Sequence, residues 1–191
     1  LAEAAVAFLR VAELSGEAAQ REAFSFRAAE LLRDAELHAQ AAESLARFQA
    51  SFPESPLAPL AALLQGECLG VIAPADAETH YLALARRFPE TPEAAHALFQ
   101  AAQLAAARDA PSLAIERYEE VSLHAGADSA LQASSQVGAG LIHLHRFHFD
   151  RALRNFEQAA ATESLPGEQA RYLRAVALYN LGREEEAIAA C

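Results

Sequence analysis

Ser51-Phe52-Pro53-Glu54-Ser55-Pro56 recurs 36 residues later as Arg87-Phe88-Pro89-Glu90-Thr91-Pro92. Each copy reads as the end of one helix followed at once by the start of another. Pro53 and Pro89 cannot continue a helix, because proline lacks the N–H and clashes with the preceding turn. Ser55 and Thr91 are suited to cap the next helix. Pro56 and Pro92 then fall at its first position, where a missing N–H goes unnoticed. A repeat of this length points to an array of helical hairpins.

Carrying the period along the chain places one template five more times. The second helix of each unit opens on a small residue, at Ala5, Ala41, Ala77, Ala114, Ala152 and Ala187. Four residues on comes a large apolar side chain at Leu9, Leu45, Tyr81, Tyr118 and Phe156. Three further on come Ala12, Phe48, Leu84, Val121 and Ala159. Steps of four and three keep these on one helix face, the face expected to be buried. Alanine is abundant, so the aromatic and proline matches carry most of the weight. Leu181-Gly182-Arg183-Glu184 adds a last turn into a second helix.

On these residues the chain resembles the tetratricopeptide repeat family, whose helix–turn–helix units run to about 34 residues. Pro53 and Pro89 match the family's boundary proline. Ala29, Ala102, Gly140 and Ala175 match its small first-helix position. Gln65 departs from that position. Gly126 and Ser164 stand where the boundary proline would be, so those two junctions are expected to be irregular. The Phe-Pro-Glu-Ser/Thr-Pro junctions look like those of bacterial envelope repeat proteins, which weakly favours a periplasmic or envelope location.

The resemblance implies an all-α, right-handed superhelical solenoid of antiparallel hairpins, with about five repeats over 1–191. The expected units are a partial one at 1–16, then 17–54, 55–91, 92–127 and 128–166, then a partial one at 167–191. Starting and stopping inside a unit suggests a piece of a longer array. In this family the first helix of each unit lines a concave groove. The groove positions implied here are Phe26, Leu69, Phe99, Gln103, Val137, Leu141, Leu144, Tyr172, Val176 and Tyr179. The resemblance thus implies a scaffold that holds a partner peptide or helix without catalysis. The alternatives are a helical arm of a larger enzyme or regulator, or a self-assembly module. Some relatives clamp a carboxylate terminus with groove lysines and asparagines. This chain has no lysine, and the matching positions are Glu30, Gly66, Gln103, Leu141 and Val176.

The formal net charge is −11, with all 15 cations arginine. Such a surface repels nucleic-acid backbones and gains nothing from anionic lipid. No apolar run is long enough to insert into a membrane. The partner expected is another protein or peptide, with homo-oligomers also compatible, and no cofactor. Two cysteines, Cys68 and Cys191, make no disulfide framework; Cys68 reads as an inert core thiol and Cys191 as a repeat core position. His143, His145 and His148 cluster in sequence, but zinc needs three or four convergent ligands. On a continuing helix only His145 and His148 share a face. Asp150, His148 and Ser134 or Ser135 could be written as a triad, yet no nucleophile turn orders them.

Overall fold

A computed structural model describes residues 1–190. The expected core role of Cys191 lies outside the described residues. Among those residues there are eleven α-helices and no strand. They form two compact units, Leu1–Pro89 and Glu90–Cys191. The first holds α1 (Ala2–Leu14), α2 (Ala18–Asp34), α3 (His38–Ser51), α4 (Ala58–Ile72) and α5 (Pro74–Arg87). The second holds α6 (Pro92–Ala107), α7 (Pro111–Leu123), α8 (Ser129–His145), α9 (Phe149–Ala160), α10 (Leu165–Asn180) and α11 (Glu184–Ala189). Within each unit every helix packs against the next along the chain, giving consecutive hairpins.

The repeat template is the core. Ala5, Ala41, Ala77, Ala114, Ala152 and Ala187 are all buried. So are Leu45, Tyr81, Tyr118 and Phe156, and so are Ala12, Phe48, Leu84, Val121 and Ala159. Only Leu9 is half-exposed. Small residues let helices approach, and the aromatics fill the resulting seams. In the first unit the rings of Phe26, Phe48 and Phe52 follow one another at 5.3 Å. In the second, the Phe156 ring lies so close to Gly140 that an added Cβ would meet it at 2.5 Å. Gln65, the departure from the small position, is half-buried and accepts a 2.7 Å hydrogen bond from Gln49 Nε2. The close approach there is made one residue on, where the Tyr81 ring covers Gly66.

The two proline junctions differ in detail. Thr91 caps α6 as expected, its Oγ1 accepting from the Ala94 amide at 3.2 Å, with Pro92 in the first turn. Ser55 does not cap α4, which begins two residues later than its proline suggests. Its hydroxyl donates to Glu22 Oε1 at 2.5 Å and accepts from the Leu57 amide at 3.0 Å. That makes a tight turn at 55–57 in place of a cap, and Pro59 takes the first-turn position. The two junctions without a boundary proline are not irregular. Asp128 caps α8 through the Leu131 amide at 2.7 Å, and Ser164 caps α10 through the Gly167 amide at 3.3 Å.

Four hairpin turns share one device. Glu36, Asp109, Phe147 and Gly182 have φ near +60° to +74°, the left-handed region. In each, the next amide donates five residues back, as from His148 N to His143 O at 2.9 Å and from Arg183 N to Leu178 O at 3.0 Å. These pairings satisfy the carbonyls that a helix end leaves open. Glycine takes this conformation freely, whereas a bulky side chain there is strained. Phe147 is 78% exposed, so its ring recovers little by burial. Phe147→Gly is therefore expected to raise stability by about 0.5–1 kcal/mol. The urea midpoint should rise at unchanged slope; a fall would mean that the edge-on contact of the Phe147 ring with Phe149, at 6.0 Å between centroids, outweighs the backbone strain.

Candidate interaction surfaces

The first helices α6, α8 and α10 of the second unit form one layer, with α8 packed on both others. This packing decides which predicted groove residues are available. Val137 is 6% exposed and packs with Ala170 and Leu173 of α10. Leu141 and Leu144 are half-buried against the Leu153, Phe156 and Leu178 cluster. The face of α8 that these three define is thus an inter-hairpin seam. Phe26, 7% exposed, belongs to the first unit's core and offers a partner no surface. Leu69 is half-buried on that same core. Phe99 is half-buried with its ring edge-on to Tyr118 at 5.6 Å, and Gln103 is exposed.

Tyr172, Val176 and Tyr179 are one repeat on from Val137, Leu141 and Leu144. No helix among the described residues covers them as α10 covers α8. Tyr172 and Tyr179 are 68% and 67% exposed. With Val176, Ala187 and Ile188 they line an apolar cavity of about 360 Å³ between α10 and α11. In the first unit the first-helix surface is charged instead. Arg27 pairs with Glu30 at 3.1 Å, Arg33 with Asp34 at 3.0 Å, and Arg33 with Glu67 of α4 at 4.0 Å. Exposed pairs of this kind add little stability, about 0–1 kcal/mol each. They leave the surface polar.

The second helices α7 and α9 are held apart, and the gap between them is a cavity of about 580 Å³. The residues that line it fall into stripes one or two helical turns apart: Ser112, Ile115, Glu119 and Ser122 on α7, Gln136 and His143 on α8, and Arg151, Arg154, Asn155 and Gln158 on α9. Asn155 Nδ2 donates to Gln136 Oε1 at 2.6 Å, tying α9 to α8. His143 is 6% exposed and its Nδ1 is buried without a partner. Burial, then the charges of Arg151, His148, Arg154 and Arg146, lowers its pKa below the ordinary histidine value. The imidazole is therefore neutral at pH 7. Sequence reading missed this site because it weighed first helices only; the polar stripes on α7 and α9 were the available signal.

The histidines are arranged differently from the sequence expectation. The positive-φ turn at Phe147 folds the chain back, so it is His143 and His148 whose rings lie 5.9 Å apart. His145 lines a separate cavity with Ile142 and Arg146. Among the described residues no three His, Cys, Asp or Glu side chains converge as a metal site would require. Ser134 and Ser135 donate to the Ala130 and Leu131 carbonyls one turn back in their own helix. Cys68 is a buried free thiol, its pKa raised by burial and partly offset by Arg33. No helix among the described residues is long and apolar enough to cross a membrane.

No family model and no curated protein sequence matches the chain. Solved structures do. A MamA protein matches at 14% identity and TM-score 0.65, over 100% of this chain and 89% of its own. BtubC from P. vanneervenii matches at 17% identity and TM-score 0.71, over 98% and 84%. YrrB, described as a TPR protein with an unusual peptide-binding site, matches at 15% identity and TM-score 0.63, over 100% and 90%. With the hairpin order and the buried repeat template, these likenesses identify the fold of this chain as that of the tetratricopeptide-repeat proteins.

Proposed function

We propose that the chain is a protein-interaction scaffold that binds a peptide or helix of a partner protein on its first-helix surface and performs no catalysis. The observation that carries this is the pair of exposed tyrosines, Tyr172 and Tyr179, flanking an apolar cavity with Val176 between them. Tyrosines with a buried flank and an open polar end are favoured anchors at interfaces. The fold shared with YrrB, a TPR protein with a peptide-binding site, supports the same reading. The junction style of residues 51–56 and 87–92 supports a bacterial, envelope-associated setting.

The test uses the whole chain as bait beside Tyr172→Glu, Tyr179→Glu, with folding checked by circular dichroism. A defined set of proteins lost only with the variant is the expected result. Identical capture by both baits would move binding off this face. A second reading has its own observation: the equivalent face of α8 is covered by a helix, α10, so a helix of a second copy suits α10 as well. Sedimentation of the wild type and the same variant separates the two, because only self-assembly makes the molecular mass depend on those tyrosines.

A further inference from the structure

The geometry points to a second binding site in the cavity between α7 and α9, taking a peptide segment that carries a carboxylate. The chain as a whole is strongly acidic, yet this cavity places two arginines, Arg151 and Arg154, on one stripe of α9. Among the described residues neither guanidinium is paired with a carboxylate or hydrogen-bonded. The arginine fork matches a carboxylate with two parallel N–H donors.

The floor adds specificity. A buried lone pair is tolerated better than a buried unpaired N–H, so the proton of neutral His143 belongs on Nε2, leaving Nδ1 bare. That ring then offers a donor where it lines the cavity. Gln136 and Asn155, already bonded to each other, retain amide groups that can pair with peptide N–H and C=O. Glu119 lies on the opposite wall. Its charge disfavours a dense polyanion or a phosphate dianion, and it can accept from a backbone N–H. The combination selects a singly charged anion on a peptide. The volume of about 580 Å³ suits a few residues of extended chain. This site is built on α7, α8 and α9 and shares no lining residue with the cavity beside the tyrosines.

The test is an NMR titration of the ¹⁵N-labelled chain with three capped probes: acetyl-Ala-Ala-Glu-Ala-Ala-amide, its Gln analogue, and acetyl-pentaalanine with a free C-terminal carboxylate. Saturable shifts of the Gln136 and Asn155 side-chain amides and of the Arg154 Nε signal are expected with a carboxylate probe. The Gln analogue should bind at least fivefold more weakly. Which of the two carboxylate probes binds tells whether a side chain or a chain terminus is recognised. Arg151→Ala, Arg154→Ala, at exposed positions that leave the core intact, should abolish the shifts. His143→Gln should weaken them several-fold while keeping the spectrum dispersed. Tyr172→Glu, Tyr179→Glu should leave them unchanged, so failure of the groove reading does not touch this one. Equal binding of the Gln analogue, shifts that survive in the double arginine variant, or inorganic phosphate binding more tightly than either carboxylate probe would overturn the assignment.

Discussion

Phe156→Ala is expected to destabilise the second unit by about 3–5 kcal/mol, the range for emptying a buried aromatic site. Phe156 is fully buried and central to the cluster of Ala152, Leu153, Ala177, Leu178 and Ala187. Three helices lean on this one ring: α8 through Gly140, α9 through its own turn, and α10 through Ala177 and Leu178. Alanines at 152, 177 and 187 have no side chain to swing into the gap, whereas the half-buried Leu141, Leu144, Leu173 and Leu181 at the cluster's edge can lean in. The cavity should therefore close only in part, and the cost should fall within that range according to how far the leucines move. A domain of this size is stable by only about 5–15 kcal/mol, so the variant should sit near the edge of folding. Urea denaturation with hydrogen exchange checks both amount and place, since protection should fall first in α8, α9 and α10. A loss under about 1 kcal/mol would mean that the hairpins close around the gap and that the ring is not their common support. Phe147→Ala, on the exposed ring nearby, is the control and should change little.

The second large effect is expected at Gly126. A Cβ built there would lie 2.4 Å from the Thr91 carbonyl oxygen and 2.9 Å from the Pro92 nitrogen. Both are backbone atoms at the start of α6, where Thr91 caps the helix. A side chain could rotate away; a capped, proline-started helix end cannot. Gly126→Ala must displace either the loop between α7 and α8 or the first turn of α6, at a cost of about 2–3 kcal/mol. Loss of the Thr91 cap would add about 1 kcal/mol. The expected measurement is a lowered midpoint together with lost exchange protection at the Ala94 amide, which the cap now holds. Gly16→Ala, with no atom within 4 Å of its added carbon, should be close to neutral. Equal behaviour of the two variants would show that the loop yields and that the contact constrains nothing. Gly140→Ala should fall between them. There the clash is with the Phe156 ring, and the helix gains about 1 kcal/mol from losing a glycine.

Much of the fold was legible because its signals are local. The alanine and aromatic positions of the second helices recur at fixed spacing, and nearly all of them are buried. Proline, glycine and capping residues mark helix ends through chemistry within four residues, so boundaries could be placed closely. The exception at Ser55 is itself instructive. Its oxygen accepts from the Leu57 amide in a turn, and its O–H is oriented by Glu22, which lies 33 residues away and belongs to another helix. No local rule sees that distant partner.

The interaction surfaces were legible only in part. Periodicity shows which residues of a first helix share a stripe, and it placed Val137, Leu141 and Leu144 one repeat before Tyr172, Val176 and Tyr179. It does not show which stripe the next hairpin covers. That depends on how consecutive hairpins are offset, which sums many small contacts between residues far apart in sequence. Hence Phe26 and Val137 proved to be core, while the tyrosines of α10 stayed open. The cavity between α7 and α9 has the same origin. Glu119, His143 and Arg151 come from three helices, and only packing brings them to one place. The sequence by itself determined the helices, their ends and the buried face of each second helix, because those follow from spacing and capping along one stretch of chain. Tertiary structure alone decided which first-helix faces are covered and where Arg151 and Arg154 meet the residues of α7 and α8, because burial and charge proximity are properties of neighbours the chain brings back from a distance.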